Sequence, residues 1–151
     1  MCGACAWRLV VASVYAALLI SSSDAQTPTA AKNELKAQEL AERLYDECGQ
    51  EQGVPGAIAT CVREKEKAFG KELDQVYKKA LTLAGTNKPL LRENQRNWLK
   101  YQESTCKFQG QLMKPEGGYI WAATEAGCLL RMTLERLEEL REIVGELSER
   151  R

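Results

Sequence analysis

The residues with the most constrained chemistry in this chain are four cysteines, Cys48, Cys61, Cys106 and Cys128. Thiols can ligate zinc, cycle between redox states or close disulfides, and their spacing helps decide which. Their successive separations of 13, 45 and 22 positions do not supply the close pairs of a zinc ribbon. A redox dithiol is commonly built on Cys-x-x-Cys, and the only such pair, Cys2 and Cys5, stands at the very start of the chain. Structural bonds remain. Four thiols permit three pairings. The local pairing, Cys48–Cys61 and Cys106–Cys128, closes each bond across a glycine-containing turn. Each bond would contribute on the order of 2–4 kcal/mol by restricting the unfolded chain.

No histidine occurs anywhere in the sequence. That excludes Ser-His and Cys-His nucleophiles and removes the commonest general base near neutral pH. Carboxylates are plentiful, Glu64, Glu66, Glu72, Glu93, Glu103, Glu116 and Glu125 among them. Glycoside hydrolysis needs two of them across a saccharide cleft. No pair stands out, and a small helical bundle has little room for such a cleft, so they read as solvated surface charges. The expectation is a non-enzyme with no catalytic residue, no metal site and no cofactor. Lys and Arg number 21 and so do Asp and Glu, a formal net charge of zero with the signs well mixed. A nucleic-acid binder or a binder of anionic membrane would carry basic excess.

Residues 1–25 read as a secretory signal. Arg8 supplies the positive start, residues 9–20 an apolar run too short to span a bilayer comfortably, and Ser23-Asp24-Ala25 a small-residue cleavage site. No Leu-x-x-Cys lipidation box follows. Cleavage after Ala25 would remove Cys2 and Cys5, and would take Arg8 and Asp24 together, so the mature chain stays neutral. Residues 26–31 are expected to form a flexible start. Residues 32–151 suffice for one domain with its own core. Disulfides and signal together predict a periplasmic or secreted protein with no stable membrane anchor after cleavage.

Four helices must position these groups. The first is expected over 33–46, with Ala37, Leu40, Ala41, Leu44 and Cys48 on one face and Gly49, Gly53, Pro55 and Gly56 ending it. The second runs over 57–84, striped by Ile58, Val62, Phe69, Leu73, Val76, Ala80 and Ala84, with Tyr77 at the edge and Gly85 as a stop. Gly70 interrupts it at a cost of about 1 kcal/mol, for which close helix packing is one reason. Asn87 can cap the third helix, whose apolar face reads Leu90, Leu91, Trp98, Tyr101, Phe108 and Leu112. The fourth spans 120–147 with Ala126, Leu129, Leu130, Thr133, Leu137, Leu140 and Val144 inward. Strand alternation is absent. The fold class is all-α, a small four-helix bundle stapled by two disulfides.

Two groups of residues are candidates for binding a partner. The turn between the third and fourth helices carries Lys114, Glu116, Gly117, Gly118 and Tyr119, with Trp121 just beyond. A turn held by Cys106–Cys128 and tipped with aromatics suits an interface hot spot; the plainer alternative is a helix connection whose aromatics cap the core. The second group is Gln95 and Arg96. They either face a ligand or serve the polar tips of Trp98 and Tyr101.

The stretch Leu90-Leu91-Arg92-Glu93-Asn94-Gln95-Arg96-Asn97-Trp98-Leu99-Lys100-Tyr101, with Cys106, Gly117-Gly118, Cys128-Leu129, Thr133, Arg136 and Leu140, resembles the LprI-type lysozyme inhibitors, a bacterial envelope family. Cys61, Leu73 and Tyr77 extend the likeness, which covers about residues 45–145. Three positions depart from the family's usual residues: Gln102 where arginine is common, Asp74 where asparagine is common, and Tyr119 where a small hydroxyl residue often follows the glycines. The resemblance implies an extracytoplasmic helical domain whose partner is a protein, a peptidoglycan-cleaving lysozyme, inhibited by occlusion of its groove. The alternative is an envelope structural or assembly factor that binds another envelope protein without inhibiting an enzyme.

Overall fold

The computed structural model describes residues 28–150 of the chain. The expected signal segment, with Cys2 and Cys5, and the first two residues of the expected flexible start lie outside the described residues. Residues 28–31 belong to the first helix. Four helices follow one another: α1 (Pro28–Gln52), α2 (Pro55–Leu83), α3 (Lys88–Leu112) and α4 (Ile120–Glu149). Short 3-10 turns at Gly85–Asn87 and Lys114–Glu116 complete the connections, and no strand occurs among the described residues.

The first helix outruns its expected end. Gly49 does not break it, and the chain leaves the helix only at Gly53, whose φ is 66°. Burial of Cys48 and its bond to Cys61 supply a tertiary reason to continue past a weak helix former. Pro55 then opens α2 at a position where its missing N–H costs nothing, and Gly85, at φ 55°, follows its end. Asn87 stands at the α3 N-cap but makes no side-chain capping bond.

The helices run up, down, up and down. Pairs of touching residues fix their directions: Glu66 with Thr133 and Glu72 with Arg141 set α2 parallel to α4, whereas Cys106 with Cys128 and Arg136 with Asn94 set α3 antiparallel to it. α4 is the axis. It packs on all three other helices, most extensively on α2. Ala59 of α2 lies against Ala122 and Ala123 of α4, and these small side chains permit close approach. Lower down, Leu73 meets Leu137 and Leu140, with Phe69, Val76, Leu91 and Trp98 around them. On the α1 side, Ala37, Ala41 and Cys48 close over Leu130 and Leu134.

α3 keeps Leu91 and Trp98 of its expected apolar face half-buried against the core but turns the rest of that face outward. Leu90, Tyr101, Phe108 and Leu112, assigned inward by periodicity, are each about 60% exposed or more (66, 61, 62 and 59%). The buried face carries Gln95, Gln102, Cys106 and Gly110 instead. The reason lies in α4, which presents Thr133 and Arg136, both buried, to this helix. Polar groups buried on one helix demand polar partners on the other.

Candidate functional site

Because the helices alternate in direction, the α1–α2 turn and the α3–α4 loop emerge at one end of the molecule. Both disulfides close at that end: Cys48–Cys61, with Cα atoms 5.8 Å apart, and Cys106–Cys128, at 5.4 Å. These are the two bonds anticipated from spacing. Behind the loop, α3 presses on α4 at Gly110, where an added Cβ would stand 3.1 Å from the Trp121 carbonyl oxygen. A larger residue there would push the two helices apart just where the loop begins.

The loop itself is a 3-10 turn followed by two glycines. Glu116 N–H donates to Met113 O at 3.3 Å and Gly117 N–H to Lys114 O at 3.1 Å. Gly117 and Gly118 then take φ values of 80° and 62°, which other residues adopt only with strain, and Tyr119 O accepts from Ala122 N–H at 3.0 Å as α4 begins. The two aromatics divide the roles anticipated for them. Trp121 is half-buried against Ala59, Ala122 and Ala123, and Lys114 Nζ lies 5.5 Å from its ring centroid, within cation–π reach. It caps the core. Tyr119 is 66% exposed and forms the tip. Its ring rests on the other turn: a Cβ added at Gly56 would lie 3.6 Å from it. Val54, in that turn, is 58% exposed, and Ile120 is also exposed. The sequence did not single out Gly56 as a neighbour of the tip, although the up-down order of four stapled helices brings both turns to one end.

Gln95 and Arg96 do not join this end. They lie about 28 Å from the loop along α3, at 1.5 Å per residue. Arg96 is exposed, whereas Gln95 is buried and its Oε1 accepts from Arg136 Nε at 2.9 Å. Arg136 is 3% exposed. It donates further to Asn94 and to Glu139, the latter at 2.7 Å, and its guanidinium lies over the Trp98 ring at 5.6 Å. Two turns further along α3, Gln102 Nε2 donates to Thr133 Oγ1 at 2.9 Å and to Leu129 O at 3.3 Å, and Thr133 donates to Glu66 of α2 at 3.2 Å. Among the described residues no buried side-chain polar atom lacks a partner. These residues fasten α3 to the axis, and their polarity is structural.

Two shallow grooves flank α3. One, about 440 Å³, lies between α2 and α3 and is lined in part by Gly70, Asp74, Tyr77 and Leu99. A Cβ at Gly70 would meet only the Glu66 carboxylate, at 3.8 Å, so close helix packing does not account for that glycine. The other lies between α3, α4 and the start of α1. Elsewhere, burial and then the nearby Asp46 carboxylate push the Tyr45 phenol above its usual 10.0. Burial opposes the charge on Arg141, but the hydrogen bonds it donates to the Glu72 and Glu138 carboxylates, with their charge, outweigh that and hold the guanidinium above its ordinary value. No group of three or more metal-binding side chains occurs among the described residues, and none of their helices is long and apolar enough to cross a membrane.

No curated protein and no solved structure matches the chain. A family model described as lysozyme inhibitor LprI does match, over residues 46–140, which is more than half of the sequence. The match spans both disulfides, the polar attachment of α3 and the whole glycine loop. The chain belongs to the LprI lysozyme-inhibitor family.

Proposed function

We propose that this protein is an extracytoplasmic, non-enzymatic inhibitor of a peptidoglycan-cleaving muramidase, and that it acts by inserting the 114–121 loop into the substrate groove. The family supports a lysozyme partner. The observation that carries the mode of action is the exposed Tyr119 at a glycine-hinged tip, braced by Gly56 and stapled from behind by Cys106–Cys128. A substrate groove is concave, and a whole helix, about 10 Å across, is too blunt to fill it. A turn with one aromatic tip and two glycines can enter, and its disulfide limits the freedom lost on binding.

Tyr119 is the intended anchor, with Glu116 and Lys114 beside it meeting charge on the rim. Rim charges set association rate and specificity more than affinity. Arg96 lies on a different face and has no contact in this mode. Gln95 contributes from inside, by holding Arg136.

Purified protein mixed with a muramidase and read by cell-wall clearing tests the proposal. Slowed clearing is expected. Binding to the muramidase with an unchanged clearing rate would remove occlusion and leave the envelope-assembly reading.

A further inference from the structure

α2 and α3 touch each other only lightly, and the groove of about 440 Å³ between them stays open. That volume is ordinary for a small-ligand site. Two glutamines of α3, Gln95 and Gln102, line it, and each is more than nine-tenths buried (7 and 8% exposed). Each commits one end of its amide to α4, and the partner fixes which end. Arg136 can only donate, so Gln95 turns its carbonyl to it and keeps its NH2 free. The Leu129 carbonyl can only accept, so Gln102 turns its NH2 to it and keeps its carbonyl free. Neither free atom is sealed from solvent. The groove is thus supplied with one oriented donor and one oriented acceptor, two helical turns apart.

The opposite wall carries Gly70. A glycine inside a helix weakens it relative to alanine, and packing does not require this one, since an added Cβ would meet only the Glu66 carboxylate at 3.8 Å. A side chain at this position would occupy the groove itself. Its absence keeps the groove open.

We propose that this groove binds a neutral oligosaccharide. The lining carries two carboxylates, Glu66 and Asp74, and two ammonium groups, Lys67 and Lys71, so it selects no net charge. Glu66 accepts from Thr133 through Oε1 and has its second oxygen unengaged. Acceptors therefore come from Gln102, Glu66 and Asp74, and donors from Gln95 and the lysines. Hydroxyl groups satisfy both kinds, because each donates and accepts. Trp98 and Tyr77 supply aromatic edges for the less polar faces of a sugar ring. A purely apolar ligand would strip water from both amides and leave them unpaired. An extended peptide is bound best at a strand edge, which these helical walls do not offer. The proposal does not rest on occlusion by the 114–121 loop: Gln102 lies about 15 Å along α3 from Leu112, where the helix ends.

Titration of isotope-labelled protein with tri-N-acetylchitotriose, followed by NMR, tests this. The Gln95 side-chain NH2 and Trp98 indole N–H resonances should shift saturably. Cellotriose should bind more weakly, because it lacks the acetamido N–H and carbonyl that the two free amide atoms complement. Gly70→Leu should abolish the shifts while the melting temperature stays equal or rises. Asp74→Ala, at an exposed position, should weaken binding about tenfold, as for loss of a hydrogen bond to a charged group. The Glu116→Ala/Tyr119→Ala variant should bind the sugar like the parent, whatever its effect on a muramidase. No shift with either sugar overturns the proposal, as does undiminished binding by Gly70→Leu or loss of binding in the loop variant. Shifts with an end-blocked alanine peptide and none with the sugars overturn it too, and assign the groove to a peptide.

Discussion

The two ends of this bundle are stabilised differently. At the loop end, both disulfides tie adjacent helices together, and α2 meets α4 through Ala59, Ala122 and Ala123 with Ile58, Tyr45 and Trp121 packed around them and Val62 and Leu130 just below. At the opposite end, among the described residues, there is no cross-link. Leu73, Leu137, Leu140 and Trp98 fill the interior there, and Arg136 with its amide partners locks α3 in place. The stapled end adds to its apolar packing a covalent restriction of the unfolded chain that the opposite end lacks. The consequence is functional. An end held by sulfur bonds can leave Tyr119, Ile120 and Val54 in solvent, because it does not need them in the core.

Reduction of both disulfides should produce the largest effect. The loss is about 4–8 kcal/mol if the bonds act independently, comparable with the whole stability of a small domain. Calorimetry before and after reduction measures it. Hydrogen exchange should show the loop end opening first while 133–144 remain protected; uniform loss of protection would break the contrast between the ends.

Leu140→Ala comes next. Leu140 is fully buried, and its truncation should cost about 2–5 kcal/mol by denaturant unfolding, with inhibition by the folded fraction unchanged. Gln95→Ala should cost less, about 1–3 kcal/mol, because it leaves the Nε of buried Arg136 without its acceptor. A neutral result would show that water enters the α3–α4 seam. The smallest stability effect belongs to Tyr119→Ala, within about 0.5 kcal/mol as for an exposed side chain away from the core, although it should weaken inhibition most.

The sequence made the axis of this fold legible and misplaced one flank. The α2 and α4 stripes emerged from periodicity because their apolar residues are both regularly spaced and buried. The disulfide pairing followed from spacing across turns. α3 misled because periodicity locates an apolar stripe without saying which face the neighbours cover. Here Gln95 and Gln102 pair with Arg136 and Thr133, and that match exists only between two helices, not within one. The same blindness hid Gly56 beneath Tyr119. A contact between two turns is set by topology, and the loop residues alone carry no trace of it.

The most direct test of the occlusion account is a single comparison of inhibition between the parent protein and the Glu116→Ala/Tyr119→Ala variant, with melting temperature recorded for both. The account predicts a variant that melts within a few degrees of the parent and inhibits at least about tenfold more weakly, the sum expected of two modest hot-spot losses. Equal inhibition by the two proteins would contradict it and move the binding surface away from the stapled end.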